Sequence, residues 1–181
     1  GVSGSSLVLI SEQTASSSAN ISFTSGIDST YKEYVFKFIN IHPATDDKNF
    51  QVNFRDGGSN FDATKTTTMI RAVHSEDDGT TGLTYRTGND LAQSTSAQDI
   101  SEGISNDADH GSSGTLHLFN PSSTTFVKHF ICVANGTRHS DQSHNEYTAG
   151  YCNVTAAIDG VQFSMSSGNI DSGTIKMYGV V

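Results

Sequence analysis

The chain has 181 residues and a formal net charge of −9, and its length fits a single domain. Lysines and arginines are scattered along the sequence and form no basic stripe, so the charge pattern argues against binding to a nucleic-acid backbone or an anionic membrane. No apolar run approaches the roughly 18 residues that cross a bilayer, and no basic segment precedes an apolar stretch near the beginning. We therefore expect a soluble chain without a targeting signal.

The composition is typical of β-structure. Hydrophobic residues make up only 34% of the chain, yet 10 Phe and 6 Tyr supply large side chains, each of which can bury about 150 to 250 Å². Glycine is plentiful, with 17 residues, and proline is scarce, with 2. The abundant Ser, Thr, Asn and Asp favour turns and exposed strand faces over helix interiors. The sequence thus predicts an aromatic core enclosed by strands.

The apolar clusters are short, rich in β-branched and aromatic residues, and bounded by turn residues, which predicts about ten or eleven strands. The clearest of them cover residues 7–10, 21–23, 34–41, 50–54, 66–73, 115–119, 126–134, 147–156, 160–166 and 173–180. The strand over 34–41 is apolar on both faces apart from Lys37 and Asn40. We expect it at the centre of the core, with cover on each side, and stopped by Pro43.

Turn signals set the connections between these strands. Phe50, Val52 and Phe54 alternate with polar residues, which indicates one buried face, and the turn at 56–58 predicts a hairpin to the following strand. Asn135-Gly136 is expected to close the strand over 126–134, with a polar loop over 138–144 after it. Residues 88–114 hold the fewest apolar side chains, so we expect long surface loops with short strands there, and a candidate contact region.

Many short strands, without any amphipathic helix, favour a single all-β domain, an antiparallel β-sandwich of the jelly-roll kind. We place this domain at residues 7–181 and expect the small residues 1–6 to form a flexible N-terminal arm. A closed barrel or a lectin-like sandwich gives the same sequence pattern.

The seven histidines include no HxH or HxxxH pair; they are His42, His74, His110, His117, His129, His139 and His144. Residues 106–111 place side-chain oxygens ahead of a glycine, as a calcium loop does, but the remaining ligands and the flanking helices of an EF-hand are lacking. The acidic run Glu76-Asp77-Asp78 is typical of a surface loop. We predict exposed or hydrogen-bonded imidazoles and no metal site.

Catalytic motifs are also missing from the sequence, which has no GxSxG, no HExxH and no phosphate-binding glycine loop. Hydrolases need two carboxylates across one cleft, or a nucleophile beside a histidine and an acid, and no spacing in this chain selects such a set. We therefore predict a non-enzymatic protein with no catalytic, cofactor-binding or metal-binding residues, and with no cofactor.

Cys132 and Cys152 both lie in predicted strands. Free cysteine behaves as a small hydrophobic residue, so buried free thiols are expected at both positions. A disulfide between adjacent strands is the alternative.

Both ends of the chain resemble one group of proteins. Residues 166–180 read SSGNIDSGTIKMYGV, which resembles the "SGNI.SGTI.LYG" ending of virion structural proteins of tailed bacteriophages, particularly marine and cyanobacterial ones, with Met177 in place of the leucine. Residues 7–23 and the run FTSGIDSTYKEYVFKFINIHP over 23–43 are similar to the same group. The middle of the chain does not share the resemblance.

The resemblance implies a β-sandwich on the surface of a virion assembled in the host cytoplasm, with structural residues only. A capsid decoration or cement protein would dock on the major capsid protein or another virion protein and stabilise the head, as a homo-oligomer such as a trimer. The alternative is a tail or tail-fibre component that binds a receptor or a host surface glycan, with Tyr85, Tyr147 and Tyr151 stacked on sugar rings. The lack of heptads and collagen-like triplets favours the head.

Overall fold

The computed structural model describes residues 6–181, which form an all-β domain of twelve antiparallel strands with no helix among them. The strands are β1 (Leu7–Thr14), β2 (Asn20–Phe23), β3 (Glu33–Pro43), β4 (Lys48–Arg55), β5 (Lys65–Ser75), β6 (Thr81–Tyr85), β7 (Gln98–Ile104), β8 (Ser112–Phe119), β9 (Lys128–Arg138), β10 (Gln142–Cys152), β11 (Gly160–Met165) and β12 (Ile170–Val180). Within this part of the chain, no helix is long and apolar enough to cross a membrane. The expected sandwich-like all-β class is confirmed.

The strands form two layers. Eight strands make the large sheet, in the order β1-β12-β3-β8-β9-β10-β5-β6. The second layer contains β7-β4-β11-β2. A single pair, Ile104 with Arg138, joins β7 to β9, so the whole sheet is nearly closed into a barrel-like shape.

Phenylalanine rings fill the core between β3 and β12 on one side and β4, β11 and β2 on the other. The ring of Phe163 lies 5.7 Å from that of Phe36 and 5.6 Å from that of Phe50, measured between ring centroids, which is the spacing that favourable aromatic pairs adopt. Phe50, Val52 and Phe54 are fully buried, as their alternation predicted. The expected aromatic core is confirmed.

Two predicted connections are wrong. The turn at 56–58 does not lead into a hairpin, because β4 pairs with β7 and β11 while β5 lies in the large sheet between β10 and β6. Asn135-Gly136 lies inside β9, and the chain reverses at 139–141 instead. A Cβ atom on Gly136 would lie 2.8 Å from the Ser101 hydroxyl oxygen, so this glycine permits the close approach of β7 and is not needed for a turn.

The prediction of long surface loops with short strands over 88–114 is right only in part. Loops cover residues 86–97 and 105–111, but between them lies β7, in which all residues but Asp99 are buried. Its buried members include Gln98, Ser101 and Glu102, and Gln98 accepts a hydrogen bond from the Thr67 hydroxyl while its amide donates to the Asn89 carbonyl at 2.8 Å. Hydrophobicity did not reveal this strand because its buried positions are polar and hydrogen-bonded inside the fold.

β3 lies in the core as expected, with Tyr34, Phe36 and Phe38 buried. On its other side Val35 is covered, but Ile39 is exposed, so the expected cover on both faces is wrong for the second half of the strand. β3 ends at Pro43. The predicted arm falls on residues 1–5, which lie outside the described residues, and on Ser6, whose carbonyl accepts a hydrogen bond from the Val181 amide at 3.2 Å.

Candidate functional site

The outward side of β9, β10, β5 and β6 forms one surface, which we call the outer face. Cross-strand pairing aligns Val133, Tyr147, Ile70 and Tyr85 in one row, with Tyr147 50% exposed. The apolar part of the outer face comprises His129, Ile131, Val133, Tyr147, Ala149, Tyr151, Thr66, Thr68, Ile70, Leu83 and Tyr85. Towards the other end of the strands the outward positions are mostly polar and comprise Ala72, His74, Thr81, Asn135, Thr137, Ser143 and Asn145. A continuous apolar surface on a rigid sheet is typical of an interaction site.

On these strands some charged side chains point inward, together with apolar ones such as Met69 and Phe130. Lys65, Lys128 and Glu146 point inward and are fully buried, while Ile70 and Ile131 on the same strands point outward and are exposed. Among the described residues, no outward position of β5, β6, β9 or β10 carries Asp, Glu, Lys or Arg. Burying charge is expensive, and soluble monomers rarely expose large apolar patches. This half of the sheet therefore departs from the usual distribution of charged and apolar side chains in a soluble monomer.

Two of the three tyrosines considered for stacking are held in place on the outer face. The Tyr147 hydroxyl accepts a hydrogen bond from the Asn145 amide at 2.9 Å. The Tyr85 hydroxyl donates to the Asp90 carboxylate at 2.6 Å, which raises the pKa of Tyr85. Tyr151 lies on the same face, half-buried, with its ring 6.0 Å from that of His129. The structure thus brings all three tyrosines to one face, with two of them pre-oriented.

A shallow cleft of about 330 Å³ lies at one end of the outer face. Its lining includes His129, Ile131, Tyr151 and Thr68. Gly150 lines the cleft as well. The cleft forms an apolar recess beside Tyr151 on the outer face.

A buried charge network lies directly behind the outer face. Glu102 accepts hydrogen bonds from Arg71 at 2.6 Å and from Arg86 at 2.9 Å, one on each carboxylate oxygen. Glu146 is fully buried; its Oε1 atom lies 3.3 Å from Nδ1 of His144 and accepts the Glu102 amide at 3.2 Å. Burial raises the pKa of Glu146. The network links β5, β7 and β10.

Potential ligand atoms of Glu102, His144 and Glu146 lie within 4.8 Å of one another. Oε2 of Glu146 and Nδ1 of His144 have no hydrogen-bond partner among the described residues. A cation at this point would face two fixed guanidinium groups on Glu102, which opposes its binding electrostatically.

The two cysteines are free and buried, as expected. Cys152 lies opposite Lys65 of β5 and Lys128 of β9. Burial raises the pKa of Cys152 to about 12 and lowers the pKa of Lys65 to about 8. The Lys65 ammonium donates to the carbonyls of Ala63 at 3.0 Å and Ser96 at 2.8 Å. The thiols and the lysine side chains are thus both part of the buried interior.

The remaining histidines are spread over the molecule. His74 pairs with Asp78 at 2.9 Å, His117 with Glu33 at 2.6 Å and His139 with Asp47 at 2.9 Å. His42 and His110 line an open polar cleft of about 780 Å³ at one end of the sandwich. Most of the imidazoles thus lie beside carboxylates, although Nδ1 of His110 and of His139 is buried without a hydrogen-bond partner among the described residues.

The two acidic segments form loops. Asp77 accepts hydrogen bonds from the Ser75 hydroxyl at 2.6 Å and the Gly79 amide at 2.9 Å, which lower its pKa, so it stabilises the β5–β6 turn. In the segment 106–111, Asp107 lies 3.7 Å from His110. Ligand atoms of these two residues and of Asp141 lie within 4.8 Å of one another, and both carboxylates are exposed.

Comparison of the chain with protein-family models, with curated proteins and with solved structures finds no match in any of the three.

Proposed function

We propose that this chain is a non-enzymatic structural protein of a virion, a decoration or cement protein that docks on the capsid head and stabilises it. The observation that carries the proposal is the outward side of β5, β9 and β10, which exposes aliphatic and aromatic side chains and, among the described residues, no charged ones, while Lys65, Lys128 and Glu146 on the same strands are buried. A surface of this kind fits a protein that works as part of an assembly. The buried Glu102, His144 and Glu146 serve the interior and are closed to a substrate by their burial.

The segments with the phage resemblance are neighbours in the fold. Residues 7–14, 33–43 and 170–180 form the adjacent strands β1, β3 and β12 of the large sheet. Ile175 and Met177 of the C-terminal segment are fully buried, as is Phe36 of the N-terminal one. These three segments therefore form one continuous group of strands, on the half of the large sheet opposite the outer face. Their arrangement supports an architecture shared with the phage virion proteins that they resemble.

The edge strand β1 offers a route for docking on the head. It pairs on one side only, with β12, among the described strands, and Leu7, Val8 and Leu9 are all exposed. An exposed apolar edge strand accepts an extended segment or a strand of a partner by β-augmentation. We propose that a capsid protein supplies that partner.

The test is binding of the purified chain to phage heads that lack it. We expect saturable co-sedimentation at a fixed ratio to the major capsid protein, and heads that resist higher temperature once decorated. Leu9→Lys should weaken the binding, whereas the matched variant Phe126→Lys, at a residue 68% exposed in a loop, should bind as the unmodified chain does. Binding to isolated tails but not to heads would overturn the head location.

A tail or receptor-binding role is the second candidate, and the held rings of Tyr85 and Tyr147 favour it. Aromatic rings on an exposed, uncharged sheet suit stacking on the apolar faces of sugars. Here Tyr147→Ser should abolish binding to host cells while head binding is unaffected. Imaging of intact virions separates the two roles, because density over the head lattice supports decoration and density at the tail supports recognition.

A further inference from the structure

We infer that a second copy of this chain covers the outer face, so that the functional unit is a symmetric oligomer joined through β9, β10, β5 and β6. The inference deepens the proposed function, in which the protein works in repeated copies. The copies would meet through the outer face, in a contact without Asp, Glu, Lys or Arg at the outward positions of the described strands.

Charge favours a second copy as the occupant. Each chain carries a formal net charge of −9, so two copies repel one another wherever their acidic surfaces meet. The outward positions of the four strands hold no Asp, Glu, Lys or Arg among the described residues. The outer face is thus a surface on which identical acidic molecules can approach without placing like charges opposite each other.

The other half of the same sheet shows the contrast. There the outward positions include Lys37 and Lys176, and Lys176 pairs with Glu12 at 3.0 Å. Glu33 lies on this half as well, paired with His117. The half formed by β1, β12, β3 and β8 therefore has the charged surface expected of a sheet that faces water, and the apolar half stops at β9.

The area of the outer face is sufficient for a stable contact. The three strands β5, β9 and β10 have 11 residues each and extend about 36 Å, and β6, with 5 residues, extends about 17 Å; at about 4.8 Å per strand, each copy offers roughly 600 Å². Two copies together would bury about 1,200 Å², which is at the lower end of the usual range for specific interfaces. Sheets pack face to face about 10 Å apart when side chains interdigitate. Tyr147, Ile70 and Val133 form the central row for such packing.

A two-fold axis through the outer face lets one surface serve both copies. In an isologous contact the patch is complementary to itself. The pre-oriented rings of Tyr147 and Tyr85 supply large side chains with little entropy left to lose, and the cleft beside Tyr151 offers a recess on the same face. One face therefore contains both the projecting side chains and the recess that an isologous contact needs.

The test measures the mass of the purified chain in solution by sedimentation equilibrium and light scattering at micromolar concentrations, without any virion. We expect a dimer, or a higher oligomer built from dimers. Tyr147→Lys and Tyr147→Glu, each at the centre of the face, should weaken association by about tenfold or more. Ile131→Lys, in another row, repeats the test in case one variant folds poorly. Phe126→Lys is the matched control and should keep the mass of the unmodified chain.

A chain that is monomeric at all of these concentrations overturns the inference, as does a folded Tyr147→Lys variant with unchanged mass. Circular dichroism establishes that each variant is folded. These results are independent of head binding: loss of the inference leaves decoration by single copies intact, whereas an oligomer that fails to bind heads removes the proposed function and keeps the interface.

Discussion

Lys65 gives this protein a defined dependence of stability on pH. The side chain is fully buried, and its ammonium group has only two carbonyl partners. Burial lowers the pKa of Lys65 from 10.5 to about 8. Between these two values the unfolded chain holds a proton at this position that the folded chain has released, so stability rises as the pH rises.

The magnitude follows from the two pKa values. At pH 7 the folded state carries the buried ammonium at a cost of about 3 kcal/mol relative to the neutral amine, and at pH 10 this cost falls to about 1 kcal/mol. Lys65 should therefore contribute a gain of about 2.5 kcal/mol in the free energy of unfolding between pH 7 and pH 10. Cys152 acts in the opposite direction above about pH 9, because its folded pKa is raised to about 12.

The assay is urea unfolding of the chain that keeps Lys65 and of Lys65→Met across this pH range. Both chains also carry Cys152→Ala, because Lys65 and the Cys152 thiol shift each other's pKa and the thiol would not cancel in the difference between the two free energies. We expect the difference to move in favour of the chain that keeps Lys65 by about 2.5 kcal/mol as the pH rises from 7 to 10. A difference that stays flat over this range would refute the argument that Lys65 is buried as an ammonium group.

Three further predictions concern the interior. Phe163→Ala removes a ring that packs against three other phenylalanines and should lower the free energy of unfolding by about 3 to 5 kcal/mol, measured in urea; a loss below about 1 kcal/mol would contradict the packing. Because the pKa of Glu146 is raised in the folded state, the contribution of Glu146 to the free energy of unfolding is complete at acidic pH and declines as the pH rises through the folded pKa. Glu146→Gln should lack that decline, and equal pH profiles would contradict it. Cys132 and Cys152, free and buried, should react with a thiol reagent only after unfolding, whereas rapid labelling of the native chain would show access to the core.

The candidate site was only partly predictable from the sequence. Tyr85, Tyr147 and Tyr151 were named as residues that could stack on sugar rings in the receptor-binding alternative, and the structure places all three on the outer face, with Tyr151 half-buried. The aliphatic members of that face gave no such signal: Ile131 lies in the run Phe130-Ile131-Cys132-Val133, which predicts burial and does not reveal which side is covered. The buried charge network was missed because Glu102, Glu146 and Arg71 are far apart in sequence.

The sequence by itself determined the β class, the aromatic core and the buried face of Phe50, Val52 and Phe54, because side-chain periodicity and residue type act over a few neighbouring positions. Tertiary structure decided the pairing of β1 with β12, the burial of the polar strand β7 and the passage of β9 through Asn135-Gly136. Tertiary structure also decided which side of β5, β9 and β10 faces outward. Polar groups tolerate burial only where distant residues supply their hydrogen bonds and counter-charges, and those partners come together only when the chain is folded.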